Sequence, residues 1–570
     1  MTDHATDADA RFARLAAAEW AWRLGEFPQL ATSVGDASHD DRLERVDAAS
    51  RAARLARWRD TREALAAIPI AGMSAAARID RAVFENQLHG FIAAIESHAD
   101  RMPLNSDSSF YASLVDLCDA QPLRDAADYR RFLARLADIP RFMREHVALM
   151  REGLASGHTV PQVVLQGRDQ PLAAIAELTD AAATPFWKPF AAFPAGVPAA
   201  EQGVLQDAAR CVIGEQVLPA YRELLVFLRD TYVPQARRTT AACDLPDGEA
   251  FYAARIREYT TLPLSADDVH ARGLQEVARI LAEMNDVRRQ AGFDGDLSAF
   301  LQFLRTDAQF YARTPEELLA HASWIAKRID GLLPKFFGVL PRQPYGVAPV
   351  PADIAPFYTT GRYVPAPQPT GFAGMYWVNT HALPSRALYT LPALTLHEAV
   401  PGHHLQIALA SEMAGQPPFR RHGFVDAYGE GWALYAEHLG DEMGAYLTPY
   451  EQFGRLTYEM WRAARLVVDT GLHAKRWSRD VARAYLLAHT ALSEHEVATE
   501  VDRYIGWPGQ ALSYKIGELK IRELRARAQD RLGAGFDLRA FHDAVLALGS
   551  VPLAVLEEQV EAWIARCLAS

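Results

Sequence analysis

The chain has 570 residues, half of them hydrophobic and 23% charged, which is enough for a large core and ordinary for a soluble protein. A net charge of −12 argues against nucleic acid or an anionic membrane as the main partner. The four cysteines, Cys118, Cys211, Cys243 and Cys567, lie far apart with no C-x-x-C pair, which speaks against a disulfide framework or a cysteine zinc site.

The opening M-T-D-H-A-T-D-A-D-A is acidic and lacks a basic segment followed by an apolar run, so it does not read as a secretory signal. No apolar stretch is long enough to span a bilayer. A cytoplasmic location with no membrane partner is therefore expected.

Residues 8–70 read as helices rich in Ala, Arg and Leu, broken at Phe27-Pro28, and residues 75–100 and 126–155 continue in the same way. Tyr129, Phe132, Leu133 and Leu136 recur at helical spacing and predict a core stripe. The segment 184–198, T-P-F-W-K-P-F-A-A-F-P-A-G-V-P, interrupts the pattern as a linker or a packed aromatic loop. Helices resume at about 200–235 and 265–292. Ser265 followed by Asp267 and Asp268 reads as a helix cap with acidic first-turn residues. Thr314-Pro315-Glu316-Glu317 starts a further helix expected to reach Leu333.

A non-helical region of about 334–390 follows, with nine prolines between Pro334 and Pro369. Within it, residues 376–380, Y-W-V-N-T, predict a short strand. That strand could be an edge along which an extended peptide pairs, or part of a structural hairpin. From 391 the chain reads as helical almost to its end. The fold expected is one mainly α domain over 1–570 with a small β element near the site. Its parts are an N-terminal helical lobe of about 1–333, the Pro-rich region, and a C-terminal helical lobe of about 391–570.

The segment 394–406, L-T-L-H-E-A-V-P-G-H-H-L-Q, places His397, Glu398, His403 and His404 within eight residues. So many polar groups are costly to bury without a partner, and a divalent metal would satisfy them. His397-Glu398 opens like the H-E-x-x-H motif, in which two His one turn apart bind zinc and the Glu is the general base. Here the second His comes late. On an unbroken helix His403 would point to the far side, and His404 would sit about 10 Å along the axis. Pro401 breaks such a helix. Looping out two residues at Pro401-Gly402 returns His403 to the i+4 position, whereas His404 needs three, so the spacing favours His403. Surface histidines around a Pro-Gly turn are the plain alternative.

Downstream, Glu430 in A-Y-G-E-G-W-A-L-Y-A-E-H-L suits a third ligand from a following helix, with Gly429 and Gly431 allowing close approach. Glu437 lies two turns on. It could orient a ligand or form a surface salt bridge. Arg462, Arg465, Asp469 and His473 share one helix face and suggest a buried ion network, with His473 able to reach the site. The stretch 502–517, D-R-Y-I-G-W-P-G-Q-A-L-S-Y-K-I-G, gathers Arg503, Tyr504, Gln510, Tyr514 and Lys515. A Tyr hydroxyl could donate to an oxyanion and an Arg could hold a carboxylate. Packing aromatics at a helix start would account for the same stretch.

Taken together, H-E-A-V-P-G-H-H-L-Q, E-G-W-A-L-Y-A-E, V-V-D-T-G-L-H and R-Y-I-G-W-P-G-Q-A-L-S-Y-K-I-G resemble the bacterial family known as domain of unknown function 885, over nearly the whole chain. Segment 251–280, with Y-T-T-L-P-L and G-L-Q-E-V-A-R-I, is similar to it as well. The family is more distantly similar to helical zinc peptidases of the thimet oligopeptidase and angiotensin-converting-enzyme type. That resemblance implies a two-lobed body with a deep channel, and one zinc ion held by His397, His403 and Glu430 with Glu398 as base.

The function expected is a zinc-dependent hydrolase acting on short peptides. Tyr514, or failing it Tyr504, would stabilise the oxyanion, and Arg503 or Arg462 would bind a substrate carboxylate. His404, Glu437, His473 and Gln510 complete the candidates around the site. The alternatives are a zinc amidohydrolase on a small-molecule amide of a biosynthetic pathway, and a non-catalytic helical protein with a structural metal.

Overall fold

Side-chain caps begin the helices at several of the expected positions. The Ser265 hydroxyl accepts from the Asp268 backbone N–H and Asp268 returns the bond to the Ser265 N–H, a full capping box. Thr314 accepts from Glu317 N–H, with Pro315 in the first turn, and the helix stops at Asp330, three residues short of the expected end. The computed structural model describes residues 7–106, 108–352, 354–365 and 373–569. The protein is mainly helical with one small sheet.

Compact packing divides the chain at 251–252 rather than near 333. The first unit, residues up to 251 with 505–507, contains the helices Asp7–Glu26, Ala48–Ala66, Ala75–Glu96, Ala126–Ala137 and Ile139–Ser156. The stripe of Tyr129, Phe132, Leu133 and Leu136 is buried. The aromatic segment is packed and not a linker: Phe186 and Phe190 are fully buried, and the Tyr129 hydroxyl donates to the Pro189 carbonyl at 2.9 Å. The helices expected over 8–70 break at Phe27-Pro28 as read, and the chain is interrupted again at 34–47, where Asp36 and Asp47 accept from the N–H groups of Ser38 and Ser50.

The second unit, residues 252–504 and 508 onward, carries the predicted site. Its elements used below are α1 (Ala266–Gln290), α2 (Leu391–Glu398), α3 (His403–Ser411), α4 (Asp426–Leu439), α5 (Pro449–His473) and α6 (Ser513–Leu532). From Phe453 to His473 α5 is buried almost all round, as a central helix must be. Each large apolar side chain it buries, such as Phe453, Leu456 or Leu466, contributes about 1.5–3 kcal/mol. α1 lies along it, with Gly273 against Leu466 and Val467, which draws residues 252–333 into this unit. Fully buried Lys515 of α6 meets Glu276 of α1 at 3.0 Å, Glu459 of α5 at 2.8 Å and Glu518 at 2.9 Å. Such a charge tolerates burial only because its partners are in place.

The sheet has the order β1-β3-β2, with β1 (Tyr345–Pro349) parallel and β2 (Gly361–Val364) antiparallel to β3 (Gly374–Val378). The expected strand thus starts two residues earlier and lies at the centre. With a neighbour on each side, it has no edge to offer a peptide. The outer strands are β1 and β2, and the Tyr363 N–H of β2 is already given to Glu398. Residues 366–372 of the Pro-rich region fall outside the described residues. No helix among the described residues is long and apolar enough to cross a membrane.

Candidate metal centre

The break between α2 and α3 is what assembles the site. α2 ends at Glu398, the backbone turns through Ala399 and a cis Val400-Pro401 bond, and α3 starts at His403. The structure therefore stops one helix and starts a second, where two residues looped out of a single helix were expected. Gly402 passes so close to the end of α2 that a Cβ there would lie 1.9 Å from the His397 carbonyl oxygen, so only glycine fits. The Trp432 indole of α4 donates to the Pro401 carbonyl at 2.8 Å and pins the turn.

This path brings His397 and His403 ring to ring, 4.9 Å between centroids and nearly perpendicular. Glu430 of α4 faces both: its Oε2 is 3.5 Å from His397 Nε2 and 3.4 Å from His403 Nε2. The three donor atoms all lie within 4.8 Å of one another. Four tetrahedral ligands at zinc bond lengths of about 2.0–2.1 Å would stand roughly 3.3 Å apart. Glu430 Oε2 is buried without a well-aligned hydrogen bond, an orphan that a cation at the common focus would satisfy. The donor set of two imidazoles and one carboxylate, with a further position open, fits a divalent metal of the zinc type.

Glu437 is only 1% exposed, which removes the surface salt bridge reading. Its Oε1 accepts from His397 Nδ1 at 2.8 Å, and Arg462 approaches the same oxygen at 3.5 Å. Burial opposes charge on His397, but contacts with Glu430 and Glu437 outweigh it and hold the imidazole up at about 9. Burial opposes charge on Glu430 as well, yet the two imidazoles keep its carboxyl well below the usual range. The two carboxylates thus favour a positive charge beside them, of the kind that a metal ion carries.

Glu398 projects from the last turn of α2 and is largely buried. Its Oε2 accepts the Tyr363 backbone N–H at 2.8 Å, so the outer edge of β2 fixes the carboxylate beside His397. His404 points elsewhere: Nδ1 is 3.0 Å from the Tyr363 hydroxyl, and the ring packs on Tyr345. Burial pushes it down to about 4 and keeps it neutral. Tyr514 stacks over His397 at 6.5 Å, with the Arg465 guanidinium 4.3 Å from its ring centre. Burial, then the Glu430 charge, raises its phenol, which stays a proton donor.

α4 and α6 can bring Glu430 and Tyr514 together because Gly431 and Gly517 cross backbone to backbone. A Cβ on Gly431 would stand 2.5 Å from Gly517 Cα, and one on Gly517 would stand 1.8 Å from the Ala427 carbonyl oxygen. Gly429, the other glycine expected to allow close approach, instead packs under the Phe424 ring.

Four predicted residues take different places. The Tyr504 hydroxyl is buried and accepts from Trp461 Nε1 and Arg465 Nε, each at 2.9 Å, so it does not face an oxyanion position. His473 is fully buried, its Nε2 2.9 Å from the Tyr504 carbonyl. Arg503 is engaged by Gln510 Oε1 at 2.7 Å and Glu500 at 3.1 Å, and Arg462 by Glu437 and the faces of Tyr458 and Trp461. Both arginines thus already have partners, and Arg462 reaches the cluster through Glu437. The ion network expected on α5 holds for Arg462 and Arg465, whereas Asp469 pairs with the Tyr252 hydroxyl and the Gly509 N–H.

Sequence reasoning missed two contributors. Asp426 lies one helical turn before Glu430, and its carboxyl is pushed up to about 7 by burial and then by the Glu430 charge, while Gln510 bonds to it. Its i−4 spacing from Glu430 was a usable signal. Tyr363 acts through its backbone N–H, for which residue identity carries no signal.

The fold and this cluster define a mainly helical protein with a largely enclosed site of two imidazoles and one carboxylate. A family model described as "Bacterial protein of unknown function (DUF885)" matches residues 28–560, and the chain belongs to that family. No curated protein matches it. Among solved structures, a candidate lipoprotein of Colwellia psychrerythraea is 27% identical with a TM-score of 0.92, covering 98% of this chain and 100% of that one. A candidate lipoprotein of unknown function from Shewanella oneidensis, 18% identical with a TM-score of 0.76, covers 96% and 99% and shares the fold.

Proposed function

We propose that the protein is a zinc-dependent hydrolase that cleaves amide bonds of short peptides. One observation carries this reading: the donor atoms of His397, His403 and Glu430 converge within 4.8 Å, beside a carboxylate, Glu398, held by a strand edge. Zinc held by these three side chains would supply Lewis-acid chemistry to a substrate carbonyl and to water.

The chain's own residues do the rest. Glu398 takes the proton of the attacking water and delivers it to the leaving amine. The Tyr514 hydroxyl donates to the developing oxyanion. Glu437 holds His397 in the tautomer that presents Nε2. A closed, purely structural site would need a fourth protein ligand, and His404, which the sequence offered for that place, is turned to Tyr363 and Tyr345. The choice of short peptides as substrates rests on the resemblance to oligopeptidases.

The lipoprotein designation of the solved relatives favours an exported location for those proteins over the cytoplasmic one expected here, and cell fractionation distinguishes the two for this chain. The function itself is tested by metal analysis joined to a peptide-library digest read by mass spectrometry. About one zinc per chain is expected, with cleavage that Glu398→Gln abolishes while the metal stays. Cleavage that survives in Glu398→Gln sinks the mechanism.

A further inference from the structure

Within the second unit a cavity of about 140 Å³ is lined by Arg305, Thr360, Tyr389, Thr457, Tyr458 and Glu496, among others. Its charge balance is uneven. Arg305 gives Nε to the Ala491 carbonyl at 3.3 Å and a terminal nitrogen to the Thr490 carbonyl at 2.6 Å, both neutral acceptors. Among the described residues no carboxylate lies within ion-pair distance of it, whereas Arg279, Arg455, Arg465, Arg503 and Arg522 all have one. Glu496 does not fill the gap. One of its oxygens accepts from the Ser493 N–H and hydroxyl, and the other faces Arg386 at 3.9 Å. Thr457 adds a second unanswered group: it is 1% exposed, and its hydroxyl has no hydrogen-bond partner. A half-buried cation and a buried hydroxyl at one small cavity ask for an anionic acceptor.

Two stretches of chain lead from the cavity to the metal centre. Tyr458 sits one turn before Arg462, which reaches Glu437. Thr360 directly precedes β2, whose Tyr363 holds Glu398 three residues on, about 10 Å along an extended chain.

We propose that the Arg305 cavity is a carboxylate receptor, taking the C-terminal or an acidic side-chain carboxylate of a peptide that lies along β2 with its amide at Glu398. The ownership of that carboxylate rests on the hydrolase reading; the receptor itself does not.

The test uses the full chain carrying Glu398→Gln, so that probes are not consumed, and measures Kd by calorimetry. The probes are acetyl-Ala-Ala, its C-terminal amide, and acetyl-Ala-Asp amide. At least one of the two acids should bind about tenfold or more tighter than the amide, as a charge-assisted hydrogen bond gives. Preference for the first acid assigns the cavity to a chain terminus, and preference for the second to a side chain. Arg305→Gln should erase the preference, Arg305→Lys retain part of it, and Thr457→Val reduce it. The comparison of acid with amide needs no cavity variant, so misfolding of a variant does not blur it. Equal binding of all three probes, or a preference unchanged in folded Arg305→Gln, overturns the proposal. If the protein with Glu398 intact binds the acid yet hydrolyses no peptide, the hydrolase reading falls and the receptor stands.

Discussion

Glu437 Oε1 stands 2.8 Å from Nδ1 of His397, and that one bond decides which face the imidazole shows. With Nδ1 committed as donor, Nε2 is the nitrogen left facing Glu430 and His403. Arg462 approaches the same carboxylate at 3.5 Å and helps to hold it in place. A ligand's affinity depends on such support almost as much as on the ligand itself.

Glu437→Gln should therefore lower zinc affinity about 10–100-fold without abolishing binding. Titration against a competing chelator checks this. Unaltered affinity would mean that His397 is oriented by packing alone.

His403→Ala should strip the metal, whereas His404→Ala should leave it bound, because His404 is directed to Tyr363. Metal content after chelator challenge decides the matter, and the reverse pattern would transfer the ligand role to His404.

Tyr514→Phe should lower kcat by about 10²–10³ with little change in KM, the mark of one lost oxyanion donor. Tyr504→Phe should leave kcat near that of the wild type, since its hydroxyl serves Trp461 and Arg465. Steady-state kinetics of the pair tests both halves.

Gly431→Ala places a methyl group 2.5 Å from the Gly517 backbone, and the helices must part to admit it. A loss of about 1–3 kcal/mol is expected, together with weaker metal binding, since Glu430 is the adjacent residue. Thermal melts and chelator titration read the two effects separately.

Asp469 offers a pH test away from the cluster. Burial raises its carboxyl from 3.8 to about 7 despite bonds from the Tyr252 hydroxyl and the Gly509 N–H. The folded state thus binds a proton that the unfolded chain has released above pH 4. Its contribution is full below pH 4, declines as pH rises and is gone above about 7, a span of at most about 4 kcal/mol. Asp469→Asn should flatten that decline, and Tm measured from pH 4 to 8 shows whether it does.

The sequence was readable where chemistry is local. Caps at Ser265 and Thr314, the stripe from Tyr129 to Leu136, and the pairing of His397 with Glu398 all announce themselves within a few residues. It was unreadable where a role depends on what a group meets across the fold. Glu437 and Tyr504 look alike as polar residues on helices, yet one faces His397 and the other is consumed by Trp461 and Arg465. The division at 251–252 was hidden for the same reason, because α1 owes its membership to α5, nearly 200 residues away.

The tight passage of Gly402 over the His397 carbonyl also bears on how relatives of this protein are found. In a continuous helix the spacing between two ligating histidines follows from periodicity, so a search pattern can fix it at three intervening positions less one for the Glu, as H-E-x-x-H does. Here the spacing is set by the path of a turn, and four residues separate Glu398 from His403. A pattern search keyed to helical spacing passes over such chains. One written H-E-x-x-P-G-H, followed by E-G-W within about thirty positions, would retrieve them.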